Sequence, residues 1–172
     1  RAGAYMIQRN YDKAYLDYKK LSETSATTDI PDVQEGLAIV SSHIGKLDDA
    51  EKAYEKLLKK NASPVTQINL AELYIVRGKY EKALKLLDSD TLLRSADKFM
   101  KCISSYLAAS ALLATGKDAG EYIKVFNELL PQFRKGTEDI DWDTALFEKW
   151  LKTAKLPQGA AEKIADMTRR AG

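Results

Sequence analysis

The chain has 172 residues, of which 45% are hydrophobic, enough for one compact domain or one short repeat array. Its 27 basic and 25 acidic residues are interspersed and leave a net charge of +2, which argues against a nucleic-acid binder driven by phosphate neutralisation. No apolar run approaches the ~18 residues needed to cross a bilayer, so we expect no membrane insertion.

A short phrase recurs along the chain at a spacing near 34 residues. The sequence GKLDDA at 45–50 returns as GKYEKA at 78–83, and a looser copy, GKDA, stands at 116–119. A copy without its glycine, RNYDKA, occupies 9–14. Such a period, joining a turn glycine, an aromatic or apolar residue and an alanine, is typical of stacked helix-turn-helix repeats.

The first two elements in chain order are a partial repeat at 1–30 and a complete repeat at 31–63. Because the chain opens at Arg1 without an initiator methionine, we expect a fragment whose first repeat begins partway through its first helix. In the complete repeat, a first helix over 32–44 and a second over 47–60 should flank a left-handed turn glycine.

The second repeat, 64–97, follows the same pattern, with helices predicted over 65–77 and 80–88. The lysines of the preceding helix, at 52, 56, 59 and 60, alternate with acidic residues and indicate a solvated face. The third repeat is divergent and covers 98–136.

The third repeat is longer than the others, and its extra length is predicted within 88–97. Its helices are expected over 96–115 and 119–133. Beyond it, over 137–172, the period is lost. Two further helices, over 142–153 and 158–170, are predicted to close the array, the first of them capped by Asp141 or Asp143.

These residues resemble the tetratricopeptide repeat family, whose pattern asks for a Leu-Gly or Leu-Ala pair, the turn glycine, an aromatic and a small alanine. The second repeat supplies Leu70, Ala71, Tyr74, Gly78, Tyr80, Ala83 and Leu87; the first supplies Leu37, Ala38, Gly45, Leu47, Ala50 and Tyr54; the third keeps Ala108, Ala109, Leu112, Gly116 and Phe126. Ser41 departs from the pattern where an aromatic is usual. The resemblance covers about 5–131.

The resemblance implies an all-α fold, a right-handed superhelix of antiparallel helix pairs with a C-terminal helical cap. It also implies a protein–protein interaction module or scaffold, in which the first helix of each pair lines a concave groove for a peptide or helix of a partner protein. Counting from the turn glycines, the groove residues are Glu35, Ile39, Ser42, His43, Ile68, Asn69, Glu72, Ile75, Tyr106 and Ser110, flanked by Asp32, Val65, Ile103 and Leu113.

Two alternatives to an open groove remain at this point. The C-terminal helices could cover the groove, and the chain could instead self-assemble as a homo-oligomer or as part of a longer solenoid. A family subclass that grips C-terminal carboxylates uses basic groove residues, and only Asn69 matches its pattern, so we do not expect that activity.

No catalytic, cofactor or metal motif is complete. The Gly-Lys pairs lack the second glycine and the following hydroxyl of a phosphate loop, and the acidic run at 139–143 lacks the glycine and final glutamate of a calcium loop. His43 is the only histidine, so a histidine zinc site has no partners. Scattered acids such as Glu35 and Glu72 are the only basis for an enzyme, and we expect none.

The single cysteine, Cys102, excludes an internal disulfide, and we expect a buried structural thiol. One cysteine fits a cytoplasmic protein, which we slightly favour, and leaves a periplasmic one open.

Overall fold

A computed structural model describes residues 1–60, 62–89, 92, 97–133 and 143–171. In this part of the chain all regular structure is helical. The α-helices are α1 (Ala2–Ile7), α2 (Tyr11–Glu23), α3 (Pro31–His43), α4 (Leu47–Lys60), α5 (Pro64–Val76), α6 (Tyr80–Leu87), α7 (Lys98–Ala114), α8 (Gly120–Leu129), α9 (Ala145–Leu151) and α10 (Ala160–Ala171), with a 3₁₀ turn at Leu130–Gln132. The predicted helical repeat fold is confirmed.

The recurring phrase forms one kind of turn. Gly45, Gly78 and Gly116 have φ angles of 77°, 72° and 71°, in the left-handed region that only glycine adopts without strain. At the first, the Lys46 N–H donates to the Ser41 carbonyl over 2.8 Å, and equivalent bonds follow the other two glycines. This hydrogen bond satisfies a carbonyl at the helix end and reverses the chain into the next helix.

The copy that lacks glycine makes the same turn. Arg9 has a φ of 54° and the Asn10 N–H donates to the Tyr5 carbonyl over 2.9 Å. The Asn10 side chain then accepts a hydrogen bond from the Lys13 N–H and caps α2. The turn therefore forms here despite the conformational cost of a side chain in the left-handed region.

The chain divides into two compact units, Arg1–Thr66 and Gln67–Gly172. In the first unit, α1 to α4 pack in consecutive order. Ala38 and Ala50 are fully buried in its core. Because a larger side chain at position 38 would push the neighbouring helices apart, the small alanine suits this buried position.

Polar contacts also join α2 to α4 in this unit. The Tyr15 hydroxyl donates to Asp49 Oδ2 over 2.7 Å, and Lys19 Nζ lies 3.4 Å from Asp49 Oδ1. Burial and this hydrogen bond raise the pKa of Tyr15 to about 12, and the bond from Tyr15 lowers the pKa of Asp49. The tyrosine therefore favours the ionised carboxylate in the folded chain.

The lysine stripe on α4 is not purely a solvated face. Lys56 Nζ donates to the carbonyl and the hydroxyl of Thr28, each over 2.8 Å. Lys56 and Lys60 also lie 3.2 Å and 3.1 Å from Asp29 Oδ1. These two lysines therefore bind the loop between α2 and α3. The alternation of charges along α4 does not predict these interactions.

In the second unit, α6 packs on α7, α7 on α8, and α10 on both α7 and α9. Ala71 and Ala109 are fully buried, as are Tyr106, Phe126 and Phe147. The Tyr106 ring centroid lies 5.8 Å from that of Phe126 and 5.3 Å from that of Phe147. This aromatic cluster ties the C-terminal helices to the repeat.

Helix ends differ from the sequence prediction by a few residues. The predicted helix over 142–153 is observed at Ala145–Leu151, where Thr144 occupies the N-cap position. Asp143, one of the two predicted caps, lies one residue earlier, and its Oδ1 accepts from the Ala145 N–H over 2.9 Å. Asp141, Trp142, most of the lengthened connection at 88–97 and the acidic run before Asp143 lie outside the described residues. Within the described ranges, no helix is long and apolar enough to cross a membrane.

Candidate protein-interaction surface

Four of the predicted groove residues lie together on α3. Glu35, Ile39 and Ser42 are half-buried and His43 is exposed. Their spacing of four, three and one places them on one side of the helix, because residues three and four apart share a face. We call these four residues the α3 face. The remaining sides of α3 supply the core residues Leu37, Ala38 and Val40.

Tyr11 extends the α3 face at its C-terminal end. Its ring stacks on the His43 imidazole with centroids 4.2 Å apart and planes within 1° of parallel. The count from the turn glycines does not place Tyr11 on this surface, although it occupies the aromatic position of the recurring phrase. A flat aromatic pair with exposed His43 at the end of α3 gives a partner a rigid apolar contact at low entropic cost.

The other end of the α3 face is acidic. Asp32 is exposed in the first turn of α3, one turn before Glu35. Burial, followed by the nearby charges of Asp32 and Glu35, raises the pKa of Tyr18. The surface therefore runs from two carboxylates, past the apolar side chain of Ile39, to the Tyr11–His43 stack.

The predicted groove residues of α5 in the second unit are mostly buried. Ile68, Glu72 and Ile75 are 4%, 8% and 0% exposed, and Asn69 is half-buried. Because the residues beside them pack into the core, the helix has buried residues all round and little surface remains for a partner. Contact of Ile68, Glu72 or Ile75 with a partner stays a prediction that would require these residues to be uncovered.

Tyr106 and Ser110 on α7 are fully buried, so a partner could contact them only if the covering residues moved, and their role in partner binding stays a prediction. The Tyr106 hydroxyl is 2.7 Å from Thr168 Oγ1 of α10, and the Ser110 hydroxyl donates to the Tyr106 carbonyl over 2.8 Å. Because the repeat pattern ends after residue 136, the sequence offers no register that would predict the contact of Thr168 with Tyr106. The C-terminal helices cover this part of the predicted groove.

A cleft of about 330 Å³ lies between α9 and α10. Its lining combines apolar and charged side chains: Glu148, Leu151, Lys152, Ala161, Ala165, Thr168 and Arg169. None of the ten predicted groove residues lines it.

The thiol of Cys102 is 1% exposed, and burial raises its pKa to about 11. It is therefore protonated and shielded at neutral pH, which agrees with the structural role expected from the sequence. Among the described residues, no group of three or more His, Cys, Asp or Glu side chains is arranged to hold a metal ion.

Comparison with known proteins supports the repeat assignment. The sequence profile of the tetratricopeptide repeat family matches residues 45–95, which run from the first turn glycine through α4, α5 and α6. A comparison with curated protein sequences found no match. Repeats of this family generally mediate protein–protein interaction and are typically non-catalytic. The family pattern in these central residues and the consecutively packed helices around them are consistent with a tetratricopeptide-like helical repeat.

Proposed function

We propose that the α3 face binds a peptide or helical segment of a partner protein, and that the chain acts as an interaction module or scaffold without catalysis. The observation that carries this proposal is the difference between equivalent helix faces. Glu35, Ile39 and Ser42 are half-buried and His43 is exposed, whereas Tyr106 and Ser110 on α7 are fully buried. A partner can therefore reach the α3 face through the surface that the described residues leave exposed.

The charge and shape of the α3 face define the partner segment. An apolar side chain would contact Ile39, and a lysine or arginine about one helical turn away would pair with Glu35 and Asp32. The Tyr11–His43 stack would take a second apolar or cationic side chain. We expect the partner to be an amphipathic segment that carries basic residues beside its apolar anchor.

A photo-crosslinking amino acid placed at Ile39 tests this proposal. Partner protein from the native cell extract should crosslink at this position, and should not crosslink from Lys52, which is exposed on α4. The captured partner is then purified and its affinity measured. Glu35→Lys and Ile39→Asp should each weaken binding at least tenfold. Equal crosslinking from Ile39 and Lys52 would refute the assignment of the α3 face.

A second candidate function is self-assembly, because two large apolar side chains are exposed in the first two helices. Ile7 is 87% exposed and Leu16 is 66% exposed. A second copy, or a neighbouring repeat of a longer solenoid, would bury them. Sedimentation velocity at rising concentration should then show an oligomer that Leu16→Asp abolishes. A chain that stays monomeric at high concentration argues against this second function.

A further inference from the structure

Equivalent faces of the first helix differ in burial between the first and third repeats. Glu35 and Tyr106 each stand ten residues before their turn glycine, and Ile39 and Ser110 each stand six before it. The first pair is half-buried, whereas the second pair is fully buried. The third repeat therefore presents the equivalent of the α3 face, but something within its own unit covers it.

The covering element is an amphipathic helix, α10, with three buried residues on one face. Ile164, Met167 and Thr168 of α10 are 0%, 3% and 2% exposed, at i, i+3 and i+4. Glu162, Lys163, Asp166 and Arg169 lie exposed on the rest of the helix. This is the pattern by which a helix of one protein lays its apolar face into a groove of another.

The contact between α10 and α7 is specific as well as apolar. The Thr168 hydroxyl donates to the Ile164 carbonyl over 2.8 Å, so its oxygen accepts the hydrogen bond from the Tyr106 hydroxyl. Next to it, Arg170 lies 5.6 Å from the centre of the Phe126 ring. A helix without a hydroxyl at the position of Thr168 would leave this buried bond unmade.

Helices α9 and α10 are also short enough to depend on this contact. They have 7 and 12 residues, and isolated helices below ~12–15 residues are marginal in water. Their helical order therefore depends on packing against the rest of the unit.

We propose that α9 and α10 together act as an intramolecular ligand. They occupy a second binding surface, on α7, that can take an amphipathic helix of a partner. A partner helix with an isoleucine or leucine, then a methionine or leucine three residues on, then a threonine or serine, competes with α10 for this surface. The inference rests on the proposed function, since it treats the α7 face as a binding surface equivalent to the α3 face.

Hydrogen exchange on the unmodified chain is the first test. The backbone amides of α10 should exchange together and at least tenfold faster than the most protected amides of α7, because the cap opens without global unfolding. Equal protection of α7 and α10 would mean that the cap is an inseparable part of the core, and it would overturn the proposal.

A competition experiment is the second test, and its probe is a fluorescent peptide with the sequence of residues 143–171. Ile164→Asp and Met167→Asp each bury a charge under α10 and should open the cap, whereas Lys163→Asp introduces the same side chain at an exposed position of that helix. The peptide should bind both opened variants at least tenfold more tightly than the unmodified chain or the Lys163→Asp control.

Two results would overturn the proposal here. One is equal affinity of the peptide for all four chains, and the other is no binding to an opened variant that keeps the helical circular dichroism of α1 to α8. Neither result bears on the α3 face, because crosslinking from Ile39 is measured on a chain with its cap intact.

Discussion

The ring of Tyr18 lies directly on the backbone of Gly36. A Cβ atom built at Gly36 would stand 2.3 Å from Tyr18 Cε1, well inside the contact distance of two carbon atoms. This contact joins α2 to α3, the helix that carries the proposed binding surface. The glycine is required here for space, since its helical conformation would suit any residue.

Gly36→Ala should therefore destabilise the chain by about 1–3 kcal/mol, because the added methyl group forces Tyr18 out of its position. Urea denaturation measures the change in the free energy of unfolding. Gly3→Ala is the matched control, since its Cβ would meet only the Tyr18 hydroxyl at 3.8 Å and alanine favours the helix. A Gly36→Ala variant as stable as the original chain would contradict this explanation.

Alanine substitution at two of the left-handed turns allows their contributions to the free energy of unfolding to be compared. A Cβ at Gly78 would meet no heavy atom within 4 Å, so Gly78→Ala should cost about 1 kcal/mol from backbone strain alone. Arg9→Ala should change the free energy of unfolding little, because Arg9 already carries that strain. Thermal or urea unfolding of both variants checks this, and an equal loss at the two positions would refute it.

The Tyr15–Asp49 hydrogen bond predicts a pH dependence of stability. Folding lowers the pKa of Asp49, so its contribution is complete above the unfolded pKa of about 4 and is lost as the pH falls through the lower folded value. Asp49→Asn should cost about 1 kcal/mol at pH 7 and nearly nothing near pH 2. Urea unfolding at both pH values measures this difference, and an equal cost of Asp49→Asn at pH 7 and pH 2 would contradict it.

The same hydrogen bond acts in the opposite direction at high pH. Folding raises the pKa of Tyr15 to about 12, so the stability gained from the neutral phenol is complete below about pH 10. It is lost as the pH rises through 12. Tyr15→Phe should reduce the alkaline loss in the free energy of unfolding between pH 9 and 12, to which the raised pKa values of Tyr18, Tyr80 and Tyr106 also contribute. A slope identical to that of the original chain would exclude Tyr15 as its source.

The Tyr106–Thr168 contact can be measured by a double-mutant cycle. Thr168→Val keeps the shape of the side chain and removes the acceptor of the Tyr106 hydroxyl, which should cost about 1–3 kcal/mol. In a chain that already carries Tyr106→Phe, the same substitution should cost about 1 kcal/mol less. Additive losses would show that the two hydroxyl groups do not interact in solution.

The helix pairs and their turns could be predicted from the sequence because they are local. A glycine after the last apolar residue of a helix fixes a left-handed turn, and apolar side chains at spacings of three and four fix the buried face. Hence Leu47–Lys60 has its predicted bounds, and Gly45, Gly78 and Gly116 all have the positive φ that the phrase predicts.

Which faces remain open was decided by tertiary structure. The register from the turn glycines places Glu35 and Tyr106 alike, and nothing in that local count shows that Thr168, 62 residues beyond Tyr106, closes over one of them. Likewise, Tyr18 reaches Gly36 and Lys56 reaches Thr28 only because neighbouring helices bring them together. The sequence determined the repeat and its turns through short-range backbone constraints. Long-range packing decided that the α3 face is exposed and that the C-terminal helices cover α7.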